Sequence, residues 1–138
     1  MPSSRNQARS ALLLIVVWLM LILGAAILTR GRADELQAGD PTRGETVYRK
    51  CQGCHSIDRN RVGSKHLGLF GRKAGSLPDF DYSAAMKNSG IVWNKQTLDR
   101  FLANPRGTVP GTKMTYAGIK NAQDRADLIA YLKEATKE

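Results

Sequence analysis

Cysteine and histidine are scarce, with two of each among 138 residues, and aromatic residues make up only 7% of the chain. Both cysteines fall in one pentapeptide, so the paired ligand spacing of a structural zinc finger is missing. No segment shows the period-two alternation of a strand, which removes the βαβ setting that a redox-active C-x-x-C normally occupies. Acidic residues are outnumbered, 12 against 21 lysines and arginines, for a net charge of +9. That excess suits an anionic partner. Nucleic acid is disfavoured, because no basic stripe is interleaved with aromatics.

What is present is distributed unevenly. Residues 11–28, ALLLIVVWLMLILGAAIL, run for 18 positions without a charge. As a helix at about 1.5 Å per residue they would reach roughly 27 Å, close to the ~30 Å hydrocarbon core of a bilayer. Secretory signals have a shorter apolar run of about 7–15 residues, followed by a small-residue cleavage site. Here Gly24-Ala25-Ala26 lies inside the run rather than after it. The expected organisation is a cytoplasmic head (1–10), a transmembrane anchor or uncleaved signal (11–28), a connector (29–38) and a domain (39–138). Charge does not orient the anchor, since Arg5 and Arg9 on one side face Arg30 and Arg32 on the other. The domain carries 17 basic and 10 acidic residues, and so most of the net charge.

The chemistry sits in Cys51-Gln52-Gly53-Cys54-His55. C-x-x-C-H is the attachment signature of c-type haem. Two thiols at this spacing reach the two vinyl groups on one haem edge, and the adjacent histidine presents its imidazole to the iron. A zinc site built from Cys51, Cys54, His55 and His66, a redox-active C-x-x-C and a chance match are the competing readings. An iron that only passes electrons needs a second axial ligand, and the domain holds two methionines, Met86 and Met114. Met114 follows Val109-Pro110-Gly111-Thr112-Lys113, an irregular loop suited to crossing an open haem face. Met86 belongs to a short helix after Ser83 and reads as core filler. Met114 is the candidate ligand, with His66 a remote alternative.

Around the motif the pattern is all-α. Asp40 and Pro41 open a helix reaching about Cys54, with Gly44, Val47 and Tyr48 on one face. A second begins near Asn94, with Leu98, Phe101 and Leu102, and stops before Asn104-Pro105. A third begins at Asn121 and places Leu128, Ile129, Tyr131, Leu132 and Ala135 at helical spacing. A domain this small buries a modest core, so the chain without haem is expected to be largely unfolded.

These motifs together resemble the class I cytochrome c family, in particular its mitochondrial-type and alphaproteobacterial members. The resemblance spans 39–138 and is carried by CQGCH at 51–55, GLFGRKAG at 68–75, GIVW at 90–93, NP at 104–105, PGTKM at 110–114, YAGIK at 116–120 and RADLIAYLK at 125–133. It implies several short helices around one covalent haem c on Cys51 and Cys54, with His55 and Met114 on the iron. It also implies that Gly44 and Tyr48 meet Leu128 and Tyr131. Arg72, Tyr82, Trp93 and Thr112 are implied around the haem propionates, with Tyr116 beside the exposed haem edge. Lys50, Arg106, Lys113 and Lys120 are implied around that edge as a docking surface. Four departures stand out. Ser64 follows Gly63 where the family usually has a proline whose carbonyl accepts from the axial histidine, and Lys65-His66-Leu67 is also unusual. Phe101 replaces a tyrosine near the methionine sulfur. Met86 replaces an asparagine of the inner haem network, and the loop 56–62 is short.

By resemblance the function is one-electron transfer without enzymatic turnover, between respiratory complexes with acidic docking faces: cytochrome c reductase and cytochrome c oxidase. A haem peroxidase or sensor, or a haem subunit fixed in one complex, are the alternatives. The expected location is the inner membrane, single-pass, with the haem domain on the periplasmic side. The connector of about 10 residues spans at most roughly 35 Å.

Overall fold

Asp40 opens the first helix, α1 (Pro41–Tyr48). Its carboxylate accepts from the Thr42 and Arg43 amides, and Pro41 fills the first turn, where its missing N–H costs nothing. The sequence predicts a helix to about Cys54, but α1 ends at Tyr48. Residues 49–54 tighten into three-residue turns, with Cys51 N donating to Tyr48 O at 2.8 Å and Cys54 N to Cys51 O at 3.1 Å. Apart from Cys51 these residues are exposed, so no buried face sustains an α-helix there.

Ser83 caps α2 (Ala84–Lys87), whose buried residue is Met86. Just beyond it Gly90, at φ +69°, turns the chain in a conformation other residues avoid. The next helix, α3 (Lys95–Ala103), starts with a reciprocal capping box between Asn94 and Thr97 and buries Leu98, Phe101 and Leu102. Asn104 ends it and caps a further turn, α4 (Pro105–Thr108), which the sequence does not announce. The last helix, α5 (Ala122–Ala135), follows Asn121, whose side chain accepts from the Gln123 and Asp124 amides.

The computed structural model describes residues 38–137, and the segment expected to cross a membrane, 11–28, lies outside them. Among the described residues no helix is long and apolar enough to cross a membrane. The only β pairing among them is an isolated bridge between Lys73 and Val92, in keeping with an all-α reading.

Helices α1 and α5 cross closely at Gly44. A Cβ there would sit 2.0 Å from the Asp127 carbonyl oxygen and 2.7 Å from Tyr131 Cβ, so only glycine fits. One turn on, the Tyr48 and Tyr131 rings lie 5.2 Å apart. Asp127 locks the crossing. Its buried carboxylate accepts from the Asp40 amide (2.8 Å), Arg43 Nε (2.8 Å), Arg43 Nη2 (3.2 Å) and Gln123 Nε2 (2.9 Å). The core collects apolar residues of all these elements, with Leu128, Tyr48 and Leu132 among the most deeply buried.

Candidate functional site

The tight turn after α1 places Cys51, Cys54 and His55 within a single turn, since both Cys54 N and His55 N donate to Cys51 O. Neither cysteine is in a disulfide; Cys51 is half-buried and Cys54 exposed. Burial, with the neighbouring Cys54 second, pushes the Cys51 thiol above its ordinary value.

His55 is held on two sides. Its Nδ1 lies 2.8 Å from the Ser64 carbonyl oxygen. A carbonyl only accepts, so Nδ1 carries the proton and Nε2 keeps its lone pair, the tautomer an iron ligand requires. Burial lowers the basicity of the ring, and the Ser64 carbonyl partly offsets this. Gly63 supplies the second wall. A Cβ there would lie 2.2 Å from His55 Cε1 and 2.5 Å from Nε2, so the ring packs against bare backbone. The proline usual after this glycine is thus dispensable, because the bond comes from a main-chain carbonyl that Ser64 also provides.

His66 lies against the same ring. The His55 and His66 centroids are 4.5 Å apart with planes 21° from parallel. Desolvation above all, with His55 and the Arg72 guanidinium as further neighbours disfavouring the charged form, lowers its pKa to about 3, so it is neutral at physiological pH. Its Nδ1 shares a hydrogen bond with the Tyr48 hydroxyl at 3.2 Å.

A free imidazole lone pair beside a paired-thiol turn, with a cradle shaped to its ring, is the donor set of a c-type haem. The residues fit that group. Comparison with known proteins agrees. A family model described as Cytochrome c matches residues 41–136. The chain belongs to the cytochrome c family. It is 48% identical to a cytochrome c2 of Rhodomicrobium vannielii, an alignment covering 80% of this chain and 90% of that one. It is 45% identical to a cytochrome c of Sesamum indicum, covering 75% and 96% of the two chains. Among solved structures, cytochrome cH from Methylobacterium extorquens superposes with a TM-score of 0.67 at 41% identity, covering 69% of this chain and 98% of that one. Cytochromes c bind one covalent haem c, and Cys51 and Cys54 fit its attachment motif.

The other candidate residues are placed as follows. Trp93 and Phe101 are buried together, with ring centroids 5.2 Å apart. Tyr82, Met114 and Tyr116 are partly buried against the core. Arg72 donates from Nη1 to the Leu67 carbonyl (2.6 Å) and from Nη2 to that of Lys65 (3.0 Å), bracketing His66. Thr112 Oγ1 accepts from the Met114 amide at 3.2 Å and steadies the methionine loop from within. Met86 is buried in α2, as its helical position suggests.

Of the four candidate docking cations, Lys50 and Arg106 are exposed and in no ion pair among the described residues. Lys120 Nζ donates to the Ala103 carbonyl at 3.3 Å. Lys113 is engaged most firmly, donating to the Asp81 carbonyl at 3.0 Å and to its carboxylate at 2.5 Å. Lys113 holds the Asp81 carboxyl below its ordinary value. Asp81 carries no signal in the sequence, because its partner is 32 positions away. The same is true of Tyr48 and His66, whose bond joins residues 18 apart.

Proposed function

We propose that this cytochrome c passes single electrons between membrane redox complexes, from a quinol–cytochrome c reductase to a terminal oxidase, while tethered through residues 11–28 to the inner membrane with its haem domain on the periplasmic side. Cys51 and Cys54 hold the haem as thioethers, and His55 Nε2 and the Met114 sulfur are the axial ligands. The observation that carries the reading is the His55 arrangement, with Nδ1–H committed to Ser64 and Nε2 left as the donor. The bound haem supplies the one-electron couple. The chain fixes the ligand tautomer, packs apolar side chains around the group and presents basic residues to an acidic partner. The ties on the Met114 loop, from Thr112 within and from Lys113 to Asp81, oppose the open iron position that a peroxidase or sensor needs.

Membranes expressing the full chain provide the test. The haem should stay with the protein through acid–acetone extraction, and carbonate washing should leave the protein in the membrane fraction. Mass spectrometry should find residues 11–28 on the mature chain. Reduction by the quinol–cytochrome c reductase and oxidation by the oxidase should both be fast and salt-sensitive. A carrier released by carbonate, or one exchanging electrons with neither complex, would sink the proposal.

A further inference from the structure

His66 is pinned more heavily than a filler residue needs. Its amide donates to Ser56 O at 3.1 Å and Ile57 O at 3.2 Å, and the next amide, of Leu67, donates to Ile57 O at 2.7 Å. On either side, the Lys65 and Leu67 carbonyls are gripped by the Arg72 guanidinium. Lys65 N in turn donates to Asn60 Oδ1 at 2.9 Å. The backbone thus delivers the imidazole to one place. There it stacks on His55 at 4.5 Å, and its Nδ1 meets the Tyr48 hydroxyl. Tyr48 is itself 2% exposed and packed on Tyr131 of α5, so it is a rigid partner.

An aliphatic side chain would fill the same space, but it would leave the Tyr48 hydroxyl without this partner and offer no flat face to His55. Beside the Gly63 backbone, two side contacts on His55 act in different directions. Ser64 holds Nδ1–H in the plane of the ring, and His66 presses on the face of the ring. Together they remove its freedom to turn about the Cβ–Cγ bond. Stacked aromatic rings attract one another beyond what their burial alone contributes.

We propose that His66 is a positioning residue for electron transfer, which, stacked on His55 and tied to Tyr48, sets the plane of the axial imidazole and through it the reduction potential. This rests on His55 being an axial ligand. Groups that orient a ligand tune the metal as surely as the ligands themselves.

The test uses the full-length holoprotein in detergent, with His66→Leu, His66→Phe and Tyr48→Phe. Each should keep the weak far-red sulfur-to-iron band of the ferric state, which shows that the ligand pair is intact. In His66→Leu the largest electron-paramagnetic g value and the spread of haem methyl proton shifts should move. The one-electron equilibrium constant against a fixed standard should change by roughly 3- to 10-fold, below the ~10–100-fold effects of outer-sphere partners on affinity or activity. His66→Phe, which keeps a flat ring, should restore most of the native g value. Tyr48→Phe, which unties His66 but keeps the packing, should move both quantities part of the way. If His66→Leu and Tyr48→Phe lower only the melting temperature and leave g values and potential at the native figures, His66 is packing alone and the proposal falls. Should His66→Leu fail to fold, Tyr48→Phe decides by the same readings. Absence of the far-red band in the native protein would overturn the ligand reading instead.

Discussion

Single atoms decide whether His55 is available. The Ser64 carbonyl fixes the tautomer and the bare Cα of Gly63 leaves room for the ring. Gly63→Ala would place a methyl 2.2 Å from His55 Cε1. Since the Ser64 carbonyl holds the ring in place, this variant should lose about 1–3 kcal/mol, the usual cost of overpacking, read from denaturant unfolding of the ferric holoprotein. Met114→Ala should abolish the far-red sulfur band, and Met86→Ala should leave it in place; the opposite pattern would transfer the ligand role to Met86. At this scale the sequence showed the candidate donors but not their supports. C-x-x-C-H announces itself because its chemistry is local, and Met114 stands out by its Pro-Gly loop. The Lys113–Asp81 pair, the Arg72 bracket and the Tyr48–His66 bond join residues brought together only by folding, so no spacing rule reveals them.

Helices were legible where caps and periodicity agree. Ser83, Asn94 and Asn121 each cap the helix that the sequence assigns to them, because one side-chain oxygen next to an apolar stripe carries both signals. The end of α1 and the short α4 were not legible. Residues 49–54 begin with the helix formers Arg49 and Lys50 but have no buried face beyond Cys51, and α4 owes its turn to Asn104 and Pro105 serving two elements. The α1–α5 crossing depends on a carboxylate. Hydrogen bonding from Arg43, above all, holds the Asp127 carboxyl below the usual carboxylate range, at about 2. A depressed folded value means that its stabilisation is complete above about pH 4 and is lost as pH falls toward 2. At about 1.36 kcal/mol per unit this amounts to roughly 2 kcal/mol. Asp127→Asn should therefore be less stable than the parent by about that amount at neutral pH. The gap between the two proteins should close as both are titrated to pH 2, followed by thermal or denaturant unfolding. A gap that persists unchanged at pH 2 would place the loss in packing rather than charge.

For the molecule as a whole, charge bears on encounter. Lys50 is exposed and in no ion pair among the described residues, whereas Lys113 shares its charge with Asp81. Lys50→Glu should slow the reaction with an acidic redox partner at low salt far more than Lys137→Glu. The difference should shrink as the Debye length falls from about 30 Å at 0.01 M to about 8 Å at physiological salt. Stopped-flow measurements on a chain beginning near Gly39 avoid the high local concentration that a tether creates. Equal slowing at both positions would mean that net charge acts without a docking face. The pairing of α1 with α5 has a further effect, on biogenesis. The bonds that close the fold link residues 84 and 87 positions apart, Arg43 and Asp40 to Asp127. A chain delivered N-terminus first exposes Cys51 and Cys54 long before α5 arrives, and contacts at such separation form late. The domain therefore carries its own delay, an interval in which both thiols stay open to the haem while the rest of the chain is still in transit. A chain stopped at Asn121 should still acquire covalent haem yet fail to reach the helical content of the complete protein, a pairing of results that haem staining and far-ultraviolet circular dichroism can read together.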